Sequence, residues 1–258
     1  MAASDTPRSP FAGKIDFAAR TPLRALAAAE IERLLAAHRR YIESARRDGH
    51  RADFGSADLP GMDFSGLNLR RVKMDRAMLR QADFRRAQLQ RANLIGTILE
   101  QARFDGADLS GARLSGANLV SASLENACLA DADMEFAVMI KAVLRGANFH
   151  AADMSGAILD GSDLTRADLR AANLRGAAFP AARLDAADLR GARLGGALLA
   201  GASLRGADLR AAYLRAARLD GADLSDADLR GAEGLTRAQL VRARRSSGTR
   251  LPEGLAER

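Results

Sequence analysis

Residues 107–121 read ADLSGARLSGANLVS, three successive units of five residues that each place alanine first and leucine third. One large apolar residue in every five, always Leu, Phe or Met, continues without interruption from Phe54 to Leu229, which gives 36 pentads. Each such residue is the centre of its pentad. Two positions before the centre the residue is Ala in 31 of the 36 pentads. Repetition at a fixed period is typical of solenoids, in which each repeat packs on its neighbours.

A period of five fits neither a helix nor a simple strand. In an α-helix five residues turn the chain by about 140°, so the centres would be spread around the helix axis. In a continuous strand successive centres would point to opposite faces, because side chains alternate. The spacing instead predicts a short extended piece, with the alanine and the centre both pointing inward, followed by a turn that redirects the chain.

Glycine marks these turns. Of the 23 glycines, 16 lie two residues after a centre, where a type II turn requires a positive φ. Pro60 and Gly61 form the favoured pair of residues for such a turn. Each pentad is therefore predicted to form one side of a coil.

The pattern A-(D/N)-L-x-G, seen in residues 107–111, resembles the pentapeptide-repeat family over about 180 residues. The resemblance implies an all-β solenoid, a right-handed quadrilateral β-helix with four pentads to each coil. It implies about nine coils, with residues twenty positions apart stacked on one another. Phe64, Phe84 and Phe104 are then expected to form an aromatic stack in the core.

Outside the repeat, the sequence predicts helical caps at both ends, because a solenoid must cover the apolar core of its end coils. Residues 1–20 lack any period and are expected to be a mobile tail. Residues 21–51 are predicted to form a helical cap that starts at Thr21-Pro22 and ends near Asp48-Gly49. A break in the helical spacing after Leu26 is predicted to separate two helical pieces.

The repeat is predicted to span residues 52–231, and residues 232–258 to form a C-terminal cap with a short helix and a tail. The period fails at Gly234. Thr236 and Gln239 have the spacing of a capping box, and Leu235 and Leu240 that of a hydrophobic staple. This helix is expected to end near Arg244.

Charge argues against a nucleic-acid-binding repeat. The chain carries a net charge of +7, but residues 1–51 contribute +4 and residues 232–258 contribute +3, so the repeat itself is neutral. A neutral rod is a poor electrostatic match for a duplex. The alternative is a nucleic-acid binder that uses the basic N-terminal helix, through the arginines Arg39, Arg40, Arg46, Arg47 and Arg51.

The inventory of reactive residues predicts a protein that is not an enzyme. Three histidines and the single Cys128 form no cluster with catalytic or metal-ligand spacing, and no phosphate-binding glycine loop joins a strand to a helix. No catalytic, metal, cofactor or small-molecule site is therefore expected. The lone cysteine, the absence of an apolar run of membrane-spanning length and the scarcity of Lys relative to Arg predict a bacterial, cytoplasmic protein.

One side of the rod is predicted to present an apolar strip. In the column of residues that starts at Asp58 and advances by twenty, most of the residues just before the centres are apolar, unlike those of other columns. The apolar strip comprises Ile98, Val138, Ile158 and Leu198 from this column, Val120 and Ile140, which follow centres, and Phe136 at the neighbouring corner. Apolar patches of this extent mark interaction sites, so the strip is predicted to bind a protein partner or a second copy of the chain. The alternative is β-branched filler on a flat face.

A second column carries an Asp–Arg ladder. Its members are Asp168, Asp188, Asp208 and Asp228, with Arg170, Arg190, Arg210 and Arg230 beside them. We interpret the ladder as structural, because the arginines offset repulsion between stacked carboxylates. The family resemblance adds the alternative of a DNA-mimicking binder of DNA gyrase, since some members bind gyrase in this way. That function requires a strongly acidic surface, which the neutral repeat does not provide.

Overall fold

The computed structural model describes residues 23–255, in which the chain winds into a solenoid held by parallel β-bridges. Bridges of the repeat join residues twenty positions apart, from Asp53 with Lys73 to Tyr213 with Glu233. Four pentads therefore complete one turn. Extended structure is limited to isolated bridge residues, because the chain turns again after each centre. The predicted β-helical solenoid is confirmed, while the nine coils closed by helical caps stay a prediction.

The bridges define four faces, each named by the column of residues that precede the centres. Face 1 starts at Asp53, face 2 at Asp58, face 3 at Asp63 and face 4 at Asn68, and each column advances by twenty residues. These residues point outward, because the alanine and the centre on either side of each point inward and are buried almost throughout the repeat.

The core is a column of centres with alanines between them, and nearly all of these side chains are inaccessible to solvent. The predicted aromatic stack is confirmed. The ring centroids of Phe64 and Phe84 lie 5.0 Å apart and those of Phe84 and Phe104 lie 4.8 Å apart, with the rings nearly parallel. The spacing matches the distance between neighbouring extended chains, so the coils themselves set the stacking.

Each pentad ends in a tight turn. The Ala57 N–H donates to the Phe54 carbonyl at 3.0 Å, and the same bond recurs along the repeat. The residue two after the centre has a positive φ in every pentad, both at the sixteen glycines and at twenty other residues such as Phe136, with φ 56°. A left-handed conformation costs a residue with a Cβ about 1 kcal/mol, and here the turn imposes it.

The backbone explains the Asp or Asn that so often precedes a centre. From Phe54 to Leu214, each centre donates its N–H to a carbonyl nineteen residues further on, as Phe54 does to Lys73 at 2.7 Å. The N–H of the residue after the centre has no such partner, and an Asp or Asn side chain accepts it. The Ser65 N–H, for example, donates to Asp63 Oδ1 at 2.8 Å. The side chain thereby satisfies a donor that the coil leaves free.

Helix α1 spans Ala28–Glu43. The predicted start at Thr21-Pro22 lies outside the described residues, but residues 23–27 are not helical, so the prediction of helix over these five residues is wrong. Arg24 instead forms a β-bridge with Ala57, below the first pentad of face 2. The helix also ends earlier than predicted, at Glu43, and is followed by turns with Ala45 and Gly49 at positive φ. Ile31 is buried in the core at this end.

Helix α2 spans Arg237–Val241, and the predicted capping box of Thr236 and Gln239 is present. It ends three residues before the predicted Arg244. The β-bridges between coils continue beyond the point at which the five-residue period fails. Glu233, Arg244 and Arg250 add further bridges to faces 1, 3 and 4, with spacings of 20, 21 and 22 residues. The helix replaces the bridge of face 2, and its Leu240 is buried in the core.

His38 links α1 to the first pentad. Its ring is buried, and Nδ1 accepts a hydrogen bond from the Ala52 N–H at 3.1 Å, so the neutral ring carries its proton on Nε2. Nε2 has no hydrogen-bond partner among the residues described. Burial, followed by the positive charge of Arg51, lowers the pKa of His38 to about 4. Protonation of His38 would thus remove its bond to Ala52.

We expect the docking of α1 to weaken in mild acid. Because the folded pKa of His38 lies below its unfolded value, the unfolded segment binds the proton first as the pH falls from about 6.5 to about 4. By pH 5 the loss should be about 2 kcal/mol in the opening free energy of α1, measured by amide hydrogen exchange.

The matched variants are His38→Asn, whose side-chain oxygen can still accept from Ala52, and His50→Asn, which changes an exposed histidine. The first should abolish the pH dependence and the second should retain it. An identical pH dependence in His38→Asn and the wild type would contradict the assignment.

Candidate functional site

The structure brings the residues of the apolar strip to one side of the rod. Ile98, Val138, Ile158 and Leu198 stand in the column of face 2, joined by β-bridges through Asn118 and Ala178. Val120 and Ile140 follow centres of the same face, and Phe136 lies at the corner between faces 1 and 2. The predicted alignment of the strip therefore holds, because residues twenty apart are stacked.

The sequence predicted that the whole strip is exposed, but the structure exposes only part of it. Phe136 is 61% exposed, and Val120, Ile140 and Leu198 are partly buried. Ile98, Val138 and Ile158 are only 2–4% exposed, although they occupy outward positions. The expectation of a free apolar surface is wrong for these three residues. The accessible part of the strip is centred on Phe136 and the two residues after the centres, Val120 and Ile140.

Phe136 combines an exposed aromatic ring with an unfavourable backbone. Its φ is 56° in a position that glycine holds at the same corner in the next coils, at Gly156 and Gly176. The ring lies against Gly156, where an added Cβ would come within 2.5 Å of Cε1. The turn imposes this backbone on every pentad, so Phe136 differs from the other residues at this position in the exposed aromatic ring that it carries.

Apart from Asn118, whose Oδ1 accepts the Val120 N–H at 3.1 Å, the described residues of face 2 lack the side-chain caps that stabilise the other faces. An apolar residue before the centre cannot accept the N–H of the residue after it, and neither Ile140 nor Asp160 donates its N–H to any described residue. Pro180, at the same position two coils from Ile140, has no N–H to donate. The apolar column therefore costs hydrogen bonds that Asp or Asn would form, which favours a functional reason for it over simple filler.

Asp160 is a feature of this face that sequence reasoning missed. Its Oδ1 is buried and has no hydrogen-bond partner among residues 23–255, and burial raises its pKa. Asp220, in the same position three coils on, accepts a hydrogen bond from Arg242 at 2.9 Å, and this bond lowers its pKa. The signal in the sequence was a carboxylate among apolar residues, but its burial was visible only in the fold.

The Asp–Arg ladder of face 4 is paired throughout. Arg170, Arg190, Arg210 and Arg230 each place Nη2 2.6 Å from the Oδ2 of the aspartate two residues earlier. Hydrogen bonds from these arginines lower the pKa of Asp168 and Asp208, and the bond from Arg230 lowers that of Asp228 to about 2. Exposed ion pairs contribute little stability each. The ladder thus presents neutralised carboxylates and agrees with our structural interpretation.

The remaining candidate features supply no further site. Among residues 23–255, no group of three or more His, Cys, Asp or Glu side chains could hold a metal ion. No helix in that range is long and apolar enough to span a membrane. Cys128 is partly buried on face 4, with Sγ 3.9 Å from Asn148 Nδ2. The arginines of the proposed basic patch, Arg39, Arg40, Arg46, Arg47 and Arg51, are all exposed on or after α1.

Comparison with known proteins gives one consistent result. The family model for pentapeptide repeats matches in eight copies, over segments that together run from residue 50 to residue 244. No curated protein matches the sequence significantly.

Three solved structures illustrate the similarity. HetL, a pentapeptide-repeat protein involved in heterocyst differentiation regulation from the cyanobacterium Nostoc sp. strain PCC 7120, is 32% identical, with 89% of this chain and 98% of HetL covered and a TM-score of 0.47. A pentapeptide-repeat protein from the thylakoid lumen of Arabidopsis thaliana is 35% identical over 46% of this chain and 68% of its own, with a TM-score of 0.36. QnrB1, a plasmid-mediated fluoroquinolone resistance protein, is 20% identical over 76% of this chain and 89% of its own, with a TM-score of 0.35.

The contact of Phe136 with Gly156 can be tested by replacing stacked glycines. Gly156→Ala and Gly176→Ala both place a Cβ at a φ of 65°, which should cost about 1 kcal/mol of unfolding free energy. No atom lies near the added Cβ at Gly176, whereas at Gly156 the Phe136 ring must move. We therefore expect a total loss of about 2 kcal/mol or more for Gly156→Ala, measured by denaturant unfolding. Equal losses in the two variants would show that the ring does not pack on Gly156.

Proposed function

The chain belongs to the pentapeptide-repeat family of right-handed β-helical proteins, and from this membership we propose that it is a non-enzymatic protein-interaction scaffold. In this proposal a β-helical rod binds a protein partner, or a second copy of itself, through the apolar strip of face 2. It acts without a cofactor or small-molecule substrate, in a bacterial cytoplasm.

Phe136 is the observation that carries the proposal. Its aromatic side chain is 61% exposed at one corner of face 2, the face that also carries the partly exposed Val120 and Ile140. Nothing in the solenoid requires an aromatic residue there, since Gly occupies the same corner in the next coils. Aromatic residues dominate the binding energy of many protein interfaces, which gives the exposed ring a purpose.

The backbone supports such a role because it holds the strip in place. Val138 N–H donates to the Ala117 carbonyl, and Met139 N–H to the Ile158 carbonyl, so each coil is fixed by its neighbours on both sides. A surface that is ordered before binding loses little conformational entropy when a partner docks. A rod with fixed columns of side chains is suited to recognition by shape and by apolar contact.

The ends of the rod serve, in this proposal, to keep it from stacking on other rods. We assign residues 1–20 to the N-terminal tail, 21–51 to an N-terminal cap, 52–231 to the repeat and 232–258 to a C-terminal cap. Ile31 and Leu240 support the two caps, because both are buried against the core of the end coils. Solenoids need such terminal elements for solubility.

The two alternatives have less support. A DNA-mimicking binder of gyrase needs an acidic face, and each aspartate of the Asp–Arg ladder is paired with an arginine. A nucleic-acid binder would use the exposed arginines on and after α1. Binding to DNA that weakens steeply as salt rises would favour that alternative over the scaffold.

Replacing Phe136 by Gly separates binding from folding. The turn should tolerate or prefer glycine, so we expect an unfolding free energy that is unchanged or up to about 1 kcal/mol higher. Binding should weaken, because the exposed ring is lost. The measurements are denaturant unfolding, the molar mass of the purified protein in solution, and the set of proteins retained from a lysate by the immobilised chain.

Lys141→Gly is the matched control. Lys141 is also exposed and left-handed, with φ 57°, at the other corner of face 2. It should show the same tolerance of glycine while leaving both molar mass and retained proteins as in the wild type. If Phe136→Gly also leaves both unchanged, the strip is structural filler.

A further inference from the structure

The charges of face 1 are left largely unpaired within the chain. On faces 3 and 4 most carboxylates have an arginine partner, as Asp83 has in Arg85 and Asp168 has in Arg170. Among the described residues, the single ion pair of face 1 joins Lys73 to Asp53 at 2.6 Å. The other charged residues of this face form no ion pair with any residue from 23 to 255. They include Asp75, Arg113, Asp133, Glu135, Asp153, Arg175 and Arg193.

The outward charges of face 1 follow an order along the rod. With the coils counted as levels from the N-terminal end, levels 1 to 8 carry Asp53, Lys73, Asn93, Arg113, Asp133, Asp153, Asn173 and Arg193. If the column is reversed about its midpoint, Arg113 meets Asp133 and Asp53 meets Arg193. The two intermediate positions pair a charged residue with an asparagine. No like charges meet, so the column is complementary to its own reverse.

The residues after the centres of face 1 obey the same rule. From level 1 to level 8 they are Gly55, Asp75, Ile95, Ser115, Glu135, Ser155, Arg175 and Gly195. Reversal about the same midpoint brings Asp75 to Arg175 and Glu135 to Ser115. A second column is thus complementary to its own reverse at the same midpoint.

Bulk is also complementary at the two edges of face 1. Arg71 and Arg91 stand at levels 2 and 3 of the corner with face 4, and reversal places them opposite Ala171 and Ala151. At the corner with face 2, the exposed Phe136 of level 5 meets Gly116 of level 4. Large side chains therefore lie opposite small ones, which allows two such faces to approach closely.

We infer that a second copy of the chain packs antiparallel on face 1, about a two-fold axis that crosses the face midway between Arg113 and Asp133. Such an axis makes every contact occur twice. The inference goes beyond the proposed function, because it assigns the second copy to face 1 and leaves face 2 to a different partner. It rests on that proposal only in taking Phe136, at the shared corner, as a contact residue.

The charges specify one register. Moving the axis by half a level places Arg113 on Arg113 of the second copy, or Asp133 on Asp133. Moving it by a whole level places Asp153 on Asp53 or on Asp133. In a parallel pair every charged residue would meet its own copy. Like charges across an interface are costly, so the antiparallel pair in this register is favoured over these alternatives.

The size of the face predicts a weak dimer. Eight levels at about 4.8 Å are about 38 Å long, and four residue intervals across the face are about 13 Å. Two such faces bury about 1,000 Å² in total, near the lower limit for a specific interface. Because its contacts include many charges, the dimer should dissociate on dilution and as salt rises.

Reversing the two central charges tests the inference in the full-length chain. Arg113→Asp would oppose Asp133 of the second copy, and Asp133→Arg would oppose Arg113. Each variant alone should raise the dissociation constant of the dimer at least about tenfold, whereas an equal mixture should form a dimer with one chain of each kind. Sedimentation equilibrium measures both effects.

Arg103→Asp is the matched control. Arg103 is also an exposed outward arginine without an ion pair among the described residues, but it lies on face 3. The variant changes the net charge as Arg113→Asp does and should dimerise like the wild type. A wild type that stays monomeric at about 100 μM in low salt would overturn the inference, as would a mixture that stays monomeric. Amide exchange of each variant checks that the repeat is folded.

A disulfide experiment tests the same register without reversing charge. In a Cys128→Ser background, a Ser115→Cys chain is mixed with a Glu135→Cys chain, and separately with an Arg145→Cys chain whose thiol lies on face 3. The 115–135 disulfide should form at least about tenfold faster than the 115–145 disulfide, because the dimer brings only the first pair together. Equal rates would contradict the inference. Proteins retained by wild type but lost in Phe136→Gly would still support the face 2 proposal in that case, so the two proposals can fail separately.

Discussion

Backbone hydrogen bonding between coils is the constraint on which the rest of this structure depends. A pentad is too short to pair its own N–H and C=O groups, apart from the single bond across the turn, as from Ala57 to Phe54. Most of the other groups are paired by the coils above and below, about twenty residues away. Burying an unpaired backbone group is costly, so every coil must turn at the same four places. The left-handed residue after each centre is the consequence, whatever side chain it carries.

Strict register makes the outer surface a set of columns, and each column can be specialised without disturbing the core. Face 4 carries aspartates that accept backbone N–H groups two residues on, as Asp168 does for Arg170 at 3.1 Å, and arginines that pair with them. Face 2 has largely exchanged such caps for apolar side chains. The core residues beneath the two faces are of the same kind, so the difference between them concerns what each face contacts rather than how it folds.

Backbone pairing also explains the structure at the two ends of the rod. At the N-terminal end, Arg24 supplies a bridge beneath face 2 before α1 begins, and His38 accepts the Ala52 N–H where the centre of a preceding pentad would have provided a carbonyl. At the C-terminal end three faces gain one more bridge, and α2 takes the place of the fourth. Both ends thus continue the ladder with residues outside the repeat, which leaves fewer edge groups unpaired. Edge groups that remain open would be sites for association between rods.

The period of five in the sequence by itself determined the inward and outward positions and the turns, because each follows from local geometry and chemistry. The aromatic stack followed from the family resemblance, which implies four pentads to each coil. The sequence also determined the capping box of α2, since Thr236 and Gln239 lie in one turn of helix. It could not determine the start of α1, where pairing of Arg24 with Ala57 overrides the helical pattern. Burial of Ile98, Val138, Ile158 and the Asp160 oxygen was likewise decided only by the tertiary structure. A repeat specifies which way a side chain points, but its exposure depends on what else in the molecule lies over it.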